Sequence, residues 1–572
     1  LPSDPASERD LAGIVLNRPL GTILTYRVPV ELRERLAAGQ RVRVPLGRGN
    51  EPAIGCCDEL PHTPSPDLDP ARVKDLLAIL DDPPLIDPVM LELTRWMAGY
   101  YACSWGQALD AVVPAGVKKH AGTALKTCLL VPPAVKLARD TLDLPPRQAT
   151  ALEVLAKADE PLTLTDLCRL ASCGPSVIAA LKKRGLIESV QRRVSRRSDR
   201  DSPLEEDVER GQAENPPRTI APPPDLTPEQ SQVLERIGPL LRSEPSSFAA
   251  CLLHGVTGSG KTEVYLSAIE QVVARGREAI VLVPEISLTP QTIRRFRRRF
   301  SRVAVLHSHL SDAERHRHWQ SIAAGEIQVV VGARSAVFAP ARNLGLIVID
   351  EEHETTFKQE TVPRYHARDV AVKRAQMLRI PILLGSATPS LESWVNAEQA
   401  RYTRLSMPSR VADRPMPKVA LIDLRHEKPE PGQTVGALSG PLRRAMRESL
   451  DGGGQVILLL NRRGFHTFVV CSACGAVVKC DACDVAMTHH RGRRRLICHM
   501  CDAEREPPVA CPTCREAKLH YGGIGTERLE REVEAVFPDV VCRRMDSDTM
   551  RGPGSHEQVL SACRHGDVRI LL

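Results

Sequence analysis

The chain has 572 residues, a formal net charge of +7, 17 cysteines and only 3% aromatic residues. That length calls for several domains, each able to bury a core of its own. No run of 18 or more uncharged apolar residues occurs, which excludes a membrane-spanning helix of ordinary length, and the mild charge leaves any polyanion site to local patches.

The opening Leu1-Pro2-Ser3-Asp4 has neither a basic segment before an apolar core nor an initiating Met. We therefore expect no secretory signal and a start that is missing. In such a chain the cysteines point to a reducing compartment, where thiols serve metals rather than disulfides. Residues 1–118 are the first expected domain: short β-like runs at 21–29 and 40–46 alternate with turns and finish in a helix around 91–101. Between 145 and 194 come a helix at 147–156, a second at 164–170, a turn at Cys173-Gly174-Pro175, a basic helix at 176–183 and a strand at 186–190. This is the layout of a winged helix-turn-helix, a fold that serves DNA and protein contacts alike. Residues 195–224 mix Arg, Asp, Glu and Pro with almost no apolar side chains and read as a flexible linker.

Beyond the linker, strands and helices alternate at α/β spacing. Thr227-Pro228-Glu229-Gln230 fits a helix start, with Thr227 as N-cap and Gln230 closing a capping box; the other reading of Gln230 is an adenine contact upstream of a phosphate loop. Gly255-Val256-Thr257-Gly258-Ser259-Gly260-Lys261-Thr262 follows an apolar strand and opens a helical pattern, the context a phosphate-binding loop requires. Its backbone N–H groups can cradle phosphate, Lys261 can reach the β- and γ-phosphates of ATP, and the Thr262 hydroxyl can hold Mg²⁺. Further on, the strand 346–349 ends in Asp350-Glu351-Glu352-His353. Asp350 is the expected metal carboxylate, and Glu351 the residue that orients and deprotonates the attacking water.

Between and after these lie weaker signals that gain weight from their order. Residues 283–291 leave a strand and open a helix at 292–300, with Ile293, Phe296 and Phe300 on its buried face. Arg294, Arg295, Arg297, Arg298 and Arg299 surround that face, either as a solvated surface or as a track for phosphates. Residues 331–336, with Arg334, suit a loop that lets a nucleic-acid backbone approach. Ser386 and Thr388 in Gly385-Ser386-Ala387-Thr388-Pro389 offer hydroxyls to couple the ATP site, with His353, to a neighbouring lobe. Phe357 and Tyr365 sit among Lys358, Arg364 and Arg368, so bases could stack on the rings while the cations take phosphates; the alternative for Tyr365 is a core position. Together these motifs spell a helicase motor with two RecA-like lobes at 225–435 and 436–572.

Within the second lobe, Cys471/Cys474, Cys480/Cys483, Cys498/Cys501 and Cys511/Cys514 form four C-x₂-C pairs. Two pairs complete a tetrahedral zinc site, so two Zn²⁺ are expected in an insertion at 471–514, which is basic (Arg491, Arg493, Arg494, Arg495) and too poor in apolar residues to fold without metal. Spacing alone leaves three ways to group the pairs. The other nine cysteines have no ligand spacing and are expected to be buried thiols.

The motor motifs, the Phe/Tyr-bearing loop after Asp350–His353 and the cysteines following Asn461-Arg462-Arg463-Gly464 together resemble the PriA family of bacterial replication-restart helicases. The resemblance runs from about residue 20 to the end. It implies the nested grouping, with Cys471, Cys474, Cys511 and Cys514 on one zinc and Cys480, Cys483, Cys498 and Cys501 on the other. It further implies an ATP-dependent 3′-to-5′ DNA helicase that recognises branched and single-stranded DNA at stalled forks. The implied partners are primosome loader proteins, the replicative helicase and a single-strand-binding protein, and the implied location is cytoplasmic, at the nucleoid. A pocket for a nascent 3′ end would involve Leu24, Thr25, Gly47 and Lys74; the family more often has an aromatic residue where Leu24 stands. The family also continues past Val568-Arg569-Ile570-Leu571-Leu572 with further motifs, so the second lobe is expected to be incomplete. Two other readings stand beside this one: a different superfamily 2 motor, against which the eight cysteines count, and a DNA-structure-binding loading platform with weak or no unwinding.

Overall fold

The computed structural model describes residues 11–63, 68–138, 142, 144–158, 161–195, 224–242, 247–285, 288–308, 310–424, 438–460, 467–471, 473–490, 495–498, 500–522, 526–546, 549–550 and 555–572. Residues 196–223 of the linker expected at 195–224, Asn461–Gly464 and the basic residues Arg491, Arg493 and Arg494 lie outside the described residues. The chain divides into two compact units, Leu1–Pro415 and Met416–Leu572, ahead of the 435/436 division drawn from the sequence.

In the first unit, β1 (Leu11–Leu16), β2 (Leu24–Arg27), β3 (Arg41–Leu46), β4 (Glu51–Glu59) and β5 (Ala78–Ile79) form an antiparallel sheet in the order β2-β1-β4-β3-β5. Its alternation is the reason it folds: Ala12, Ile14, Leu16, Val42 and Val44 fill one small core, whereas Val15 and Cys56 belong to another. Helices α1 (Pro88–Tyr100), α2 (Trp105–Val112) and α3 (Ala115–Lys118) follow. Asp87 caps α1 by accepting from the Met90 N–H, and Ser104 with Gln107 forms a capping box on α2. These helices do not build a private core. Met97 of α1 and Leu109 of α2 share one continuous cluster with Trp319, Phe338 and Ala371 of the lobe beyond the linker, so the expectation of a separate core for each domain fails here. The apolar stripe of α1 is wide enough to meet both neighbours.

The strand β6 (Thr123–Leu130) begins a second small domain, with α4 (Pro133–Ala138), α5 (Pro146–Lys157), β7 (Leu162–Thr163), α6 (Leu164–Leu170), α7 (Pro175–Lys183) and β8 (Glu188–Ser195). The sheet order is β7-β6-β8, and β6 pairs with β8 along eight residues. Its central strand therefore comes from upstream of the 145–194 span. Helices α6 and α7 meet at 111°, within the range of a helix-turn-helix. Among the described residues no single helix is long and apolar enough to cross a membrane. The bent α6–α7 pair passes on composition alone, and its Leu167, Ile178 and Leu181 are buried in this domain's core.

Next come α8 (Pro228–Arg242), β9 (Ala249–Gly255), α9 (Lys261–Val273), β10 (Glu278–Leu282), α10 (Pro290–Arg299), β11 (Val303–Leu306), α11 (Asp312–Ala323), β12 (Val329–Gly332), β13 (Leu344–Asp350), α12 (Ala367–Leu378), β14 (Pro381–Ser386), α13 (Leu391–Glu398) and β15 (Thr403–Met407). The seven strands are parallel, in the order β11-β12-β10-β13-β14-β9-β15. Both faces are covered, so the inner strands read as unbroken apolar runs. Adjacent strands β13, β14 and β9 end together, and their carboxyl ends carry the three nucleotide motifs, the usual place for a ligand in such sheets.

In the second unit, α14 (Gly440–Asp451), β16 (Val456–Ile457), β17 (Thr467–Cys471), β18 (Thr488–His490), β19 (Arg495–Ile497), β20 (Glu504–Arg505), β21 (Leu519–Gly522), α15 (Thr526–Val536), β22 (Cys542–Arg543), α16 (Ser555–His565) and β23 (Ile570–Leu571) appear in order. A parallel sheet β16-β23-β22 packs on α14 and α15 through Met446, Leu450, Val533 and Phe537. Inserted between β16 and α15 is a separate antiparallel sheet, β20-β19-β18-β17-β21.

Candidate nucleotide and zinc sites

The loop from β9 to α9 turns twice through left-handed backbone, at Gly258 (φ 84°) and Gly260 (φ 84°). Side chains are excluded there twice over, because a Cβ on Gly260 would lie 2.2 Å from the Gln230 amide nitrogen. Gln230 closes the expected capping box and also reaches the phosphate loop: its Oε1 accepts from the Thr227 N–H at 2.8 Å, while its Nε2 donates to the carbonyls of Ser259 and Gly260 at 3.4 Å each. It is thus a capping residue that also braces the phosphate loop. Lys261, only 8% exposed, reaches back across the loop to the Gly255 carbonyl at 2.9 Å. The Ser259 hydroxyl is buried with no protein partner. A glycine-turned loop at a helix N-terminus with a lysine across it and an orphan hydroxyl within it fits a triphosphate and its metal.

Asp350 ends β13, beside Gly385 on β14. It accepts from the Tyr265 hydroxyl at 3.2 Å and from the Glu351 N–H at 3.1 Å. Tyr265 comes from α9 and was invisible as a site residue in the sequence. Its hydroxyl reaches Asp350 only because residue 385 is glycine: a Cβ there would sit 1.5 Å from that oxygen. Burial and the Asp350 charge hold the Tyr265 phenol well above its usual range, which keeps it a donor. Burial first, then the Glu351 charge, lift the Asp350 carboxyl above the usual carboxylate range, against the pull of the Tyr265 hydrogen bond and Lys261. Glu351 itself has φ 48°, a conformation that costs a non-glycine residue about 1–3 kcal/mol and concentrates at functional sites.

His353 meets the motif after β14. Its Nδ1 is 2.7 Å from the Ser386 hydroxyl and its Nε2 3.4 Å from that of Thr388, while the Thr388 N–H donates to Ser386 Oγ at 3.0 Å. The two expected hydroxyls and His353 therefore form one network beside Asp350.

The expected DNA-contacting side chains are arranged otherwise than the sequence suggests. Phe357 and Tyr365 are 1% and 2% exposed, and Tyr365 packs edge-on against Phe338 in the shared core. Neither ring is open for stacking. Arg368 is also buried. It holds the Glu352 carboxylate at 3.2 Å and Asp369 at 3.1 Å, and Glu352, itself 0% exposed, also accepts from the Ser390 N–H and from the Ser390 and Ser393 hydroxyls at 2.7, 3.0 and 2.8 Å. An interior carboxylate needs such partners, and the pair ties both ends of the loop 353–367 together. Arg334 donates to the Lys358 carbonyl at 2.8 Å and lies 6.0 Å from the Tyr365 ring centroid; it braces the same loop. Lys358 and Arg364 remain exposed. On α10, Ile293, Phe296 and Phe300 are buried as expected, and Arg299 turns inward to Glu263 and Glu270 at 2.6 and 2.7 Å, leaving Arg294, Arg295 and Arg298 exposed. In the first domain, Lys74 donates to the Gly47 carbonyl and to Asn50, bringing two of the implied pocket residues together, while Leu24 and Thr25 lie on β2.

In the inserted sheet, the eight cysteines gather into two groups, Cys471, Cys474, Cys511 and Cys514 and then Cys480, Cys483, Cys498 and Cys501, each with its sulfurs within 4.8 Å of one another. Cys471 and Cys514 are 3.5 Å apart, Cys474 and Cys511 3.6 Å, Cys480 and Cys501 3.7 Å. A tetrahedral zinc with Zn–S of about 2.3 Å sets sulfurs about 3.8 Å apart, so the residues fit the metal. All four knuckles repeat one turn. The residue after the second cysteine is left-handed (Gly475, Asp484, Asp502, Arg515) and its N–H donates to the carbonyl of the first cysteine at 2.8–3.0 Å. The thiols of each group are driven in opposite directions: the Cys514 N–H lowers Cys511 and the Met500 N–H lowers Cys498, while the contact with Cys501 raises Cys483. Of the other nine cysteines, all expected to be buried, Cys56, Cys57, Cys128, Cys251 and Cys542 are, whereas Cys103, Cys168, Cys173 and Cys563 are only half-buried.

Family models match three stretches: the PriA 3′ DNA-binding domain over residues 13–114, the DEAD/DEAH box helicase over 227–396 and the PriA DNA helicase Cys-rich region over 480–505. The replication restart protein PriA of Bacillus subtilis is 36% identical over 96% of this chain and 73% of that protein. That of Haemophilus influenzae is 35% identical over 98% of this chain and 73% of its own length. Among solved structures, RecG bound to a three-way DNA junction covers 61% of this chain and 36% of that one, with 18% identity and a TM-score of 0.33, too low to carry an argument. With a nucleotide cradle, a paired Cys₄ insertion and this identity along nearly its whole length, the chain belongs to the PriA family of replication restart helicases.

Proposed function

We propose that this replication-restart helicase hydrolyses ATP at the Lys261–Asp350–Glu351 cradle and uses it to unwind branched DNA 3′ to 5′, opening the fork for primosome assembly. The observation that carries this reading is the cradle itself: left-handed glycines 258 and 260, Lys261 across the loop, and Asp350 at the end of β13 held by Tyr265 of α9. Lys261 and Gly255 to Thr262 hold the phosphates, Thr262 and Asp350 hold Mg²⁺, and Glu351 takes the proton of the attacking water. The bound metal would neutralise phosphate charge. The His353–Ser386–Thr388 network passes the state of the cradle to its surroundings. Residues 1–118, with Gly47 and Lys74, take the 3′ end; the winged helix adds the basic end of α7, with Lys182 and Lys183, as a phosphate contact. Primosome loader proteins, the replicative helicase and a single-strand-binding protein are the partners at the fork.

The test is strand displacement on a forked duplex with ATP. The wild type should release the lagging-arm strand and Lys261→Ala should not, although both bind the fork. Equal displacement by both proteins would refute the assignment. Tight fork binding without any displacement by the wild type would favour a loading platform.

A further inference from the structure

The loop after the acidic motif buries its own aromatics, yet the surface beside it is not short of rings. Four of the chain's few aromatic residues, Trp96, Tyr100, Tyr101 and Trp105, fall within ten positions from the last turn of α1 to the first residue of α2. Trp96 and Tyr100 are one helical turn apart on one face and stack with centroids 4.8 Å apart at 21°. Tyr101 stands edge-on to both, at 6.1 and 4.9 Å. Tyr100 is 62% exposed, far more than packing alone asks of a large ring. Cations border the stack from the motor side: Lys373 lies 5.9 Å from the Trp96 ring and Lys358 5.2 Å from the Tyr101 ring, with Arg364 exposed nearby in sequence on the same loop.

We propose that Trp96 and Tyr100 are a base-stacking platform for single-stranded DNA, with Lys358, Lys373 and Arg364 serving its phosphates. Stacked rings flanked by lysines are the composition that sequence-tolerant strand binding uses. Arg95 is not part of it, because it lies over Trp105 and holds Asp58. The platform is also wired to the motor. The Tyr101 hydroxyl accepts from the His366 N–H at 3.1 Å, and His366 caps α12, whose Arg368 holds Glu352 next to Glu351. A strand on the rings of the first domain thereby touches the loop whose base is part of the acidic motif. The chemistry expected of Phe357 and Tyr365 is supplied from another domain. This deepens the proposed function by naming a strand contact, and it rests on that reading for the identity of the ligand.

The test is a titration of the full chain with oligo-dT, without ATP, followed by tryptophan emission. The wild type should be quenched, and Trp96→Phe should lose most of the quench while the other three tryptophans remain. Tyr100→Ala should weaken oligo-dT binding by about tenfold or more with an unchanged melting temperature, Tyr100→Phe should bind like the wild type, and duplex affinity should hardly change. Unchanged oligo-dT affinity in Tyr100→Ala, or an equal loss for duplex and single strand, would overturn the platform. Failure of the wild type to hydrolyse ATP would sink the motor reading alone, since this titration needs no turnover.

Discussion

The nucleotide cradle and the zinc insertion solve the same problem by opposite means. Both hold a charged ligand in turns that need left-handed backbone. The cradle hangs from a seven-stranded parallel sheet whose two faces are covered, so its geometry exists before any ligand arrives. Among the described residues, the insertion buries Val469, Val478, Met487 and Leu496 with its own cysteines, and Val485 and Leu519 are half-buried against them; its four knuckles converge on points where a metal belongs. One site is built by the fold; the other has to build the fold around its ligand.

The largest effect that separates them is metal removal. The protein should carry two zinc ions, and replacing Cys480 and Cys483 together should release one. Each structural zinc contributes on the order of 10 kcal/mol to its own local fold. Chelation should therefore expose the insertion to proteolysis while the 227–396 region keeps its melting transition; loss of both transitions together would erase the contrast. Metal analysis beside limited proteolysis reads this directly.

A smaller break falls on the preformed side. Arg368→Ala leaves the fully buried Glu352 with its serine donors but without its cationic partner and should cost about 3–5 kcal/mol, seen as a lower melting temperature. If instead Arg368→Ala weakens DNA binding at unchanged stability, Arg368 is the phosphate contact that the sequence suggested. Tyr265→Phe removes one hydrogen bond to a carboxylate, about 1.5–3 kcal/mol, and should lower the melting temperature by a few degrees while slowing ATP hydrolysis roughly tenfold or more well below that temperature. Wild-type turnover in Tyr265→Phe would reduce that contact to packing. The smallest effect sharpens the zinc side: Arg515, at φ 63°, occupies the position that Gly475 fills in the first knuckle, so Arg515→Gly should stabilise the insertion by up to about 1 kcal/mol, read by its proteolysis midpoint.

The same contrast explains what could be read from the sequence. Candidate ligand-holding residues are legible wherever chemistry is local: Gly255 to Thr262 and the C-x₂-C pairs each sit in one turn whose residue types announce it. Partners across the fold were not. Nothing near Tyr265 or Gly385 in sequence says that one hydroxyl fits because the other residue lacks a Cβ, and the spacing of four identical knuckles does not encode which pairs share a metal. The aromatic loop shows the same blindness from the other side. Phe357 and Tyr365 among basic residues look like a surface platform, with a core position as the alternative for Tyr365 alone, yet the shared core with α1 buries both, because helices of the first domain supply apolar surface that the sequence assigns to a separate core.

The central claim, a DNA-driven ATPase motor, is tested most directly by steady-state ATP hydrolysis with and without forked DNA, for the wild type and Lys261→Ala. The account predicts that fork DNA stimulates the wild type and that Lys261→Ala loses turnover in both conditions, because the lysine that stabilises the transferring phosphoryl is gone. Fork-stimulated hydrolysis that survives in Lys261→Ala would contradict it.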